Sequence, residues 1–301
     1  MPELPEVEVV RAGVEPAVTG STVTAVEVFE PRSLRRHDPL TGPFAAQLEG
    51  RVLLGAVRRG KFLWLPIDTG RALVIHLGMS GQVLLREPGS PADRQLRIRL
   101  HLHHPGHGEL WLNFADQRMF GSMAVDRMRP TADGLPGGFA GTGVGDWTGL
   151  IPGQVAHIAR DPIDPDFDTD AALASLARRG SGIKRVLLDQ TWVSGIGNIY
   201  ADEALFSAGL HYEQPASSLS PAEGIRLLDA VRTVLQRALA EGGTSFDSQY
   251  VNVNGQSGYF SHSLLAYGKQ GTACPRCGAL LVREQFMNRS SHLCPVCQRL
   301  R

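Results

Sequence analysis

Two Cys-x-x-Cys pairs near the C-terminus constrain this chain more than any other feature. Cys274-Pro275-Arg276-Cys277 and Cys294-Pro295-Val296-Cys297 are separated by sixteen residues, within the spacing of a zinc ribbon. A two-residue gap lets both thiolates of a pair reach one ion, and Gly278 relieves the turn that follows the first pair. Between the pairs, residues 279–283 and 291–293 read as the short strands of a hairpin. Four thiolates close a tetrahedron and leave no position for water, so the Zn2+ expected at Cys274, Cys277, Cys294 and Cys297 supplies a fold and no chemistry. A redox role does not suit them, because neither pair sits in a thioredoxin-like strand–helix context. The ribbon would display the loop 286–291 with Arg289 near its tip, either as a solvated side chain or as a phosphate ligand.

The opposite end is also unusual. The chain opens Met1-Pro2-Glu3-Leu4-Pro5-Glu6, and removal of Met1 would leave a secondary amine with two carboxylates nearby. An N-terminal amine titrates near neutrality, so a useful fraction is an unprotonated nucleophile. Its attack on an aldehyde-level carbon gives an iminium, a standing electron sink. Taken alone, a Pro-Glu opening is more often the mark of a solvated terminus.

Thirty basic and thirty acidic residues cancel over 301 residues, so any nucleic-acid surface must be local. The segment from residue 271 onward, with five arginines and one glutamate, is such a place. No run of eighteen apolar residues occurs and the start lacks a signal-peptide pattern, which leads to the expectation of a cytoplasmic protein with reduced thiols.

The pattern divides into four parts: 1–128, 129–168, 169–264 and 265–301. In the first, a helix over 6–15 closed by Pro16 and Gly20 precedes β-rich runs at 23–29, 62–67, 72–76, 82–85, 96–102, 109–114 and 122–125. Their alternation and turn residues suggest an antiparallel sandwich. His101, His103, His104 and His107 fall on a strand and its hairpin turn, which argues against a metal site. The Gly/Pro-rich stretch 129–168 reads as a linker or hinge.

Beyond it come helices at 171–178 (capped by Asp170), 184–190, 198–208 and about 221–241, the last opened by Ser220-Pro221-Ala222-Glu223. Gly195-Ile196-Gly197-Asn198 before the third helix suits a phosphate at a helix start. A close-packed joint between helices accounts for the same glycines.

With these pieces assembled, the chain resembles the Fpg/Nei family of DNA glycosylases, and within it the formamidopyrimidine branch. The marks are Met-Pro-Glu-Leu-Pro-Glu-Val-Glu at 1–8, Arg-Arg-Gly-Lys at 58–61, His-Leu-Gly-Met-Ser-Gly at 76–81, Gly-Ile-Gly-Asn-Ile-Tyr-Ala-Asp-Glu at 195–203, and the cysteine ribbon. The resemblance implies an α+β multidomain protein: an N-terminal antiparallel β-sandwich with a flanking helix, a helix–two-turn–helix domain and a zinc ribbon, with double-stranded DNA between the domains. It implies a monomer with Pro2 as nucleophile, Glu3 as proton shuttle, and Lys61 and Arg289 supporting strand cleavage through phosphate contacts. Met79, Arg118 and Phe120 would fill the space left by a flipped nucleotide. Glu6, His76, Arg179, Lys184, Asn198 and Tyr259 are the further DNA-binding positions it implies.

The loop from Gly242 to Phe260, with Asn252, Asn254 and Ser257, resembles the branch's base-recognition loop. The chain departs from the family's usual Asp-Pro-Arg-Arg-Phe-Gly in having Asp-Gln-Arg-Met-Phe-Gly at 116–121, so Met119 replaces an arginine. Asn288 and Ser290 replace the commoner Gln and Ala beside Arg289. The implied substrates are oxidised purines such as 8-oxoguanine and formamidopyrimidines. Two other readings are the endonuclease VIII-like branch, which commonly has Gly where this chain has Leu4, and a non-enzymatic damage binder, which has no need of a Pro2 amine.

Overall fold

The computed structural model describes residues 2–244 and 259–301. The chain divides into two compact units, Met1–His157 with Thr244–Gly258, and Ile158–Gly243 with Tyr259–Arg301.

The first unit begins with helix α1, Leu4–Val18. Its Val7, Val10, Val14 and Val18 recur at helical spacing and all enter the core. The strands follow in chain order: β1 Thr22–Val28, β2 Val57–Arg59, β3 Phe62–Ile67, β4 Arg71–His76, β5 Gly81–Arg86, β6 Leu96–His104, β7 Gly108–Asp116, β8 Ser122–Pro130 and β9 Leu150–Pro152. They form two antiparallel sheets, ordered β1-β6-β7-β5 and β2-β3-β4-β8-β9. On β6, Ile98, Leu100 and Leu102 point into the core with Leu63, Leu65 and Ile75 of the other sheet, while Arg97, Arg99, His101 and His103 alternate outward. The expected sandwich is therefore present. Its histidine hairpin is a capped turn: the His104 Nδ1 accepts from the Gly106 and His107 N–H groups.

Several glycines of 129–157, Gly137 and Gly138 among them, serve close packing in the first unit. The Phe139 and Arg58 backbones exchange hydrogen bonds of 2.8 and 2.9 Å. A Cβ on Gly138 would lie 2.4 Å from the Arg58 carbonyl oxygen and 2.8 Å from the Trp64 ring. One on Gly137 would lie 2.1 Å from the Leu150 oxygen. Glycine here permits backbone to approach backbone over the outer face of β3, which is why that strand is buried on both faces.

The second unit contains α2 Thr169–Leu176, α3 Ile183–Leu187, α4 Asn198–Ala208, α5 Pro221–Ala240 and the hairpin β10 Val282–Phe286 with β11 Arg289–Leu293. Asp168, rather than Asp170, caps α2 by accepting from the Ala171 N–H at 2.8 Å. The capping box of α5 is formed, with the Ser220 N–H donating to Glu223 Oε2 at 2.9 Å. None of the described helices is long and apolar enough to cross a membrane.

Candidate functional site

In the first unit the N-terminal segment is held by a carboxylate. Glu6 Oε2 accepts from the Glu3 N–H at 2.8 Å, and its Oε1 accepts from the Thr244 N–H and hydroxyl at 2.7 and 2.9 Å. Pro2, Glu3 and Glu6 are all buried. Glu6, implied by the resemblance as a DNA contact, accepts three hydrogen bonds that fix the backbone carrying Pro2 and Glu3.

Lys61 lies on the two-residue turn joining β2 to β3. Gly60 takes φ +56 at the first central position, as a type II′ hairpin turn requires. This hairpin is tied to α1 by a partly buried ion pair that sequence reading did not find: Glu8 Oε2 accepts from Arg58 Nε at 2.8 Å while its Oε1 accepts from Arg11 Nε at 2.9 Å. Arg-Arg-Gly-Lys therefore contains both an anchor, Arg58, and the residue it places, Lys61.

Sheet register collects the remaining first-unit candidates. Phe62 pairs with His76 and His76 with Ser122, so Lys61, the turn after His76 and the loop before Ser122 emerge at one end of the sheet. The His76 ring packs 4.8 Å from Phe62, and its buried Nδ1 has no hydrogen-bond partner among the described residues. Burial first, and then the nearby Arg36, Lys61 and Arg35 charges, depress its pKa to about 4. His76 is accordingly neutral at pH 7 within a cluster of three cations, which suits an anionic ligand.

Met79 and Arg118–Phe120 sit on neighbouring turns joined through Asp116. Asp116 Oδ1 accepts from the Ser80 hydroxyl at 2.6 Å and the Arg118 N–H at 3.2 Å; Oδ2 accepts from the Gly121 N–H at 2.7 Å. A Cβ on Gly78 would lie 2.3 Å from the Phe120 carbonyl carbon, so glycine is what allows the turns to touch. Met79 and Phe120 remain 38% and 53% exposed, so both turns carry a large apolar side chain at the surface. Met119 adopts φ +57, a left-handed conformation costing a non-glycine residue about 1–2 kcal/mol.

In the second unit, one face of α4 carries the ribbon. Asn198, Asp202 and Phe206 recur at four-residue spacing and therefore share a side of the helix. Asn198 Nδ2 donates to the Ser290 carbonyl at 3.0 Å. Asp202 Oδ1 lies 2.6 Å from Lys184 Nζ, and Oδ2 accepts from the His292 N–H at 2.9 Å. At the far end, the Arg276 guanidinium donates to the Phe206 and Ser207 carbonyls at 2.8 and 2.9 Å, capping α4. Glu203 accepts from the successive N–H groups of Leu265, Ala266 and Tyr267, which fixes the approach to the ribbon.

Lys184, expected to touch DNA, is completely buried. Its three donors go to Asp202, the Ser290 carbonyl at 2.9 Å and the Ser291 hydroxyl at 2.8 Å. The lysine is a tie between α3 and β11, and a basic residue on a short helix gave no sign of this. Arg179 is half-buried and pairs with Asp189 at 2.7 Å. Gln190 was also missed: it accepts from the Gly195 N–H and donates to the Ile196 carbonyl, holding the turn before α4. Arg289 opens β11 opposite Phe286 and is exposed, so a two-residue turn at Met287 and Asn288 replaces the expected longer loop. Tyr259 is 73% exposed. Met1 and the Asn252, Asn254 and Ser257 donors lie outside the described residues.

The four cysteine sulfurs lie within 4.8 Å of one another, with Cys277–Cys294 at 3.5 Å and Cys274–Cys297 at 4.0 Å. Sulfurs around a tetrahedral zinc with bonds of about 2.3 Å are about 3.8 Å apart, so the donor set fits one structural Zn2+.

The model of the formamidopyrimidine-DNA glycosylase N-terminal domain matches residues 1–123, that of the H2TH domain 158–249, and that of a zinc finger found in FPG and IleRS 271–300. The formamidopyrimidine-DNA glycosylase of Leifsonia xyli is 63% identical over the full length of both chains. The chain belongs to the formamidopyrimidine-DNA glycosylase family. The Kineococcus radiotolerans member is 53% identical, covering 99% of this chain and 97% of its own. Among solved structures, Lactococcus lactis Fpg with abasic-site DNA superposes at a TM-score of 0.79 with 29% identity and 99% of each chain covered. MutM with DNA containing carbocyclic 8-oxo-G also gives 0.79 and 29%, over 99% of this chain and all of the other. Membership in this family of DNA-repair glycosylase/lyases makes the chain an enzyme.

Proposed function

We propose that this glycosylase acts on double-stranded DNA containing oxidised purines and cleaves the strand through one nucleophile, the Pro2 amine. The observation that carries this reading is the anchored N-terminal segment: Glu6 binds the Glu3 N–H and the Thr244 side of the unit at once. An amine whose backbone is held this way loses little freedom on reaching a reacting carbon.

With Met1 removed, the Pro2 nitrogen attacks C1′ of the damaged nucleoside and the glycosidic bond breaks, the base leaving with a proton. Opening of the sugar C1′–O4′ bond, with a proton delivered to O4′ through Glu3, gives an iminium at C1′. The iminium acidifies the C2′ proton; its removal expels the 3′ phosphate. Loss of the C4′ proton then expels the 5′ phosphate, and water releases the remnant from Pro2. Lys61 and Arg289 would each hold a phosphate and stabilise its departure. His76, Arg179 and Asn198 are assigned to backbone binding, and Met79, Arg118 and Phe120 to the vacated stack, where a guanidinium can pair with an orphaned cytosine. The bound Zn2+ stabilises the ribbon fold; no reaction step passes through it.

Oxidised purines are favoured because solved relatives are complexes with DNA containing Fapy-dG and carbocyclic 8-oxo-G. The test is incubation of Met1-processed protein with duplexes containing 8-oxoguanine opposite C or thymine glycol opposite A. Strand breaks bearing phosphate at both ends, formed faster on 8-oxoguanine, are expected. Preference for thymine glycol would move the reading to oxidised pyrimidines. Inertness on both would overturn it.

A further inference from the structure

The loop that carries Arg118 and Phe120 is gripped from two sides, and only the Asp116 side follows from its own sequence. Its other side is Arg35, more than eighty residues away in the chain, at the end of the single helical turn Pro31–Leu34. Arg35 Nη1 donates to the carbonyl of Met119 at 3.2 Å and of Gly121 at 2.7 Å, and Nη2 donates to the carbonyl of Phe120. Asp116 meanwhile takes the N–H groups of Arg118 and Gly121. The loop backbone thus presents its donors to a carboxylate and three successive acceptors to a guanidinium. With these five backbone groups engaged, the exposed Phe120 and Arg118 side chains stand on the outer side of the loop.

The left-handed Met119 makes this grip consequential. A methionine at φ +57 does not hold that conformation by its own preference, and a planar fork suits a row of carbonyls as a single ammonium does not. We infer that Arg35 is a positioning residue for opposite-base recognition: by clamping residues 119–121 it sets where Arg118 and Phe120 stand when a nucleotide leaves the stack. This rests on the proposed role of those two side chains.

The experiment compares wild type, R35A, R35K, R118A and F120A under single-turnover conditions on three duplexes: 8-oxoguanine opposite C, 8-oxoguanine opposite A, and a preformed abasic site opposite C. An abasic site needs less help to leave the stack, so it reports the Pro2 chemistry with little demand on the loop. R35A is expected to lose about tenfold more activity on 8-oxoguanine opposite C than on the abasic site, the scale of lost hydrogen bonds from a charged donor. Its preference for C over A is expected to shrink, and R35K to resemble R35A.

Equal losses on lesion and abasic site would mean a general structural role and overturn the inference, as would wild-type behaviour of R35A. So would full rescue by R35K, since charge alone would then suffice. If R118A and F120A leave the preference for C unchanged, the void-filling role itself fails; if they alter it and R35A does not, only the clamp fails.

Discussion

The two units solve one problem, how to present a cation on a hairpin turn, with different resources. In the first, Lys61 sits on the β2–β3 turn, anchored by the partly buried Arg58–Glu8 pair beside a core that spans two sheets and α1. In the second, Arg289 sits at the β10–β11 turn, anchored by the buried Lys184–Asp202 pair beside a ribbon core of Phe206, Ala266, Cys274, Leu281 and Cys294. The anchors are alike and the cores are not. A small apolar core leaves the ribbon's stability to the metal, whereas the Lys61 hairpin inherits a packed sandwich.

Metal removal should break the comparison most sharply. Structural zinc supplies about 10–16 kcal/mol to small zinc folds, so chelation or C277S should unfold the ribbon and abolish strand cleavage. Hydrogen exchange should rise over residues 271–300 while β3 and β4 stay protected. Protection persisting in the ribbon after metal loss would show that its α4 ties suffice.

The ion pairs come next. Removing one partner of a buried pair costs about 3–5 kcal/mol. K184M leaves Asp202 only the His292 backbone and ring nitrogens, at 2.9 and 3.1 Å, in place of a lysine ammonium, and should lower stability by that amount and weaken DNA binding by displacing Arg289. R58M should cost less, because Glu8 keeps Arg11 at 2.9 Å. Denaturant unfolding of both variants checks the order; a larger loss in R58M would refute the argument from shared partners.

The smallest effect is a pH dependence confined to the first unit. His76, depressed from 6.5 to about 4 by burial and by Arg36, Lys61 and Arg35, binds fewer protons folded than unfolded. Its contribution to stability is therefore complete above pH 6.5 and is lost as pH falls toward 4. H76Q should flatten the unfolding midpoint between pH 6.5 and 4 relative to wild type, and an unchanged slope would exclude this histidine as the source.

The same contrast explains what could be read from residues alone. Long alternating strands such as β6, the capping box of α5 and the cysteine spacing carry their signal locally. β2 and β9, with three residues each, are too short for periodicity, and β9 lies among glycines that look like a linker until their distances to backbone are seen. Lys61, Arg289 and the cysteines stand out by motif. Arg35, Asp116, Gln190 and the partners of Arg58 and Lys184 act through contacts distant in sequence or on turns without a pattern. Lys184 misled because a buried lysine is legible only once Asp202 is in place.

The most direct test of the account is where a trapped reaction intermediate is bonded. Met1-processed protein should be incubated with 8-oxoguanine:C duplex and borohydride, digested, and its adduct located by mass spectrometry. Attachment of the sugar to the Pro2 nitrogen is the predicted result, with its yield falling when Glu6 is replaced by Gln. Attachment to Lys61 or another lysine, with Pro2 unmodified, would contradict it.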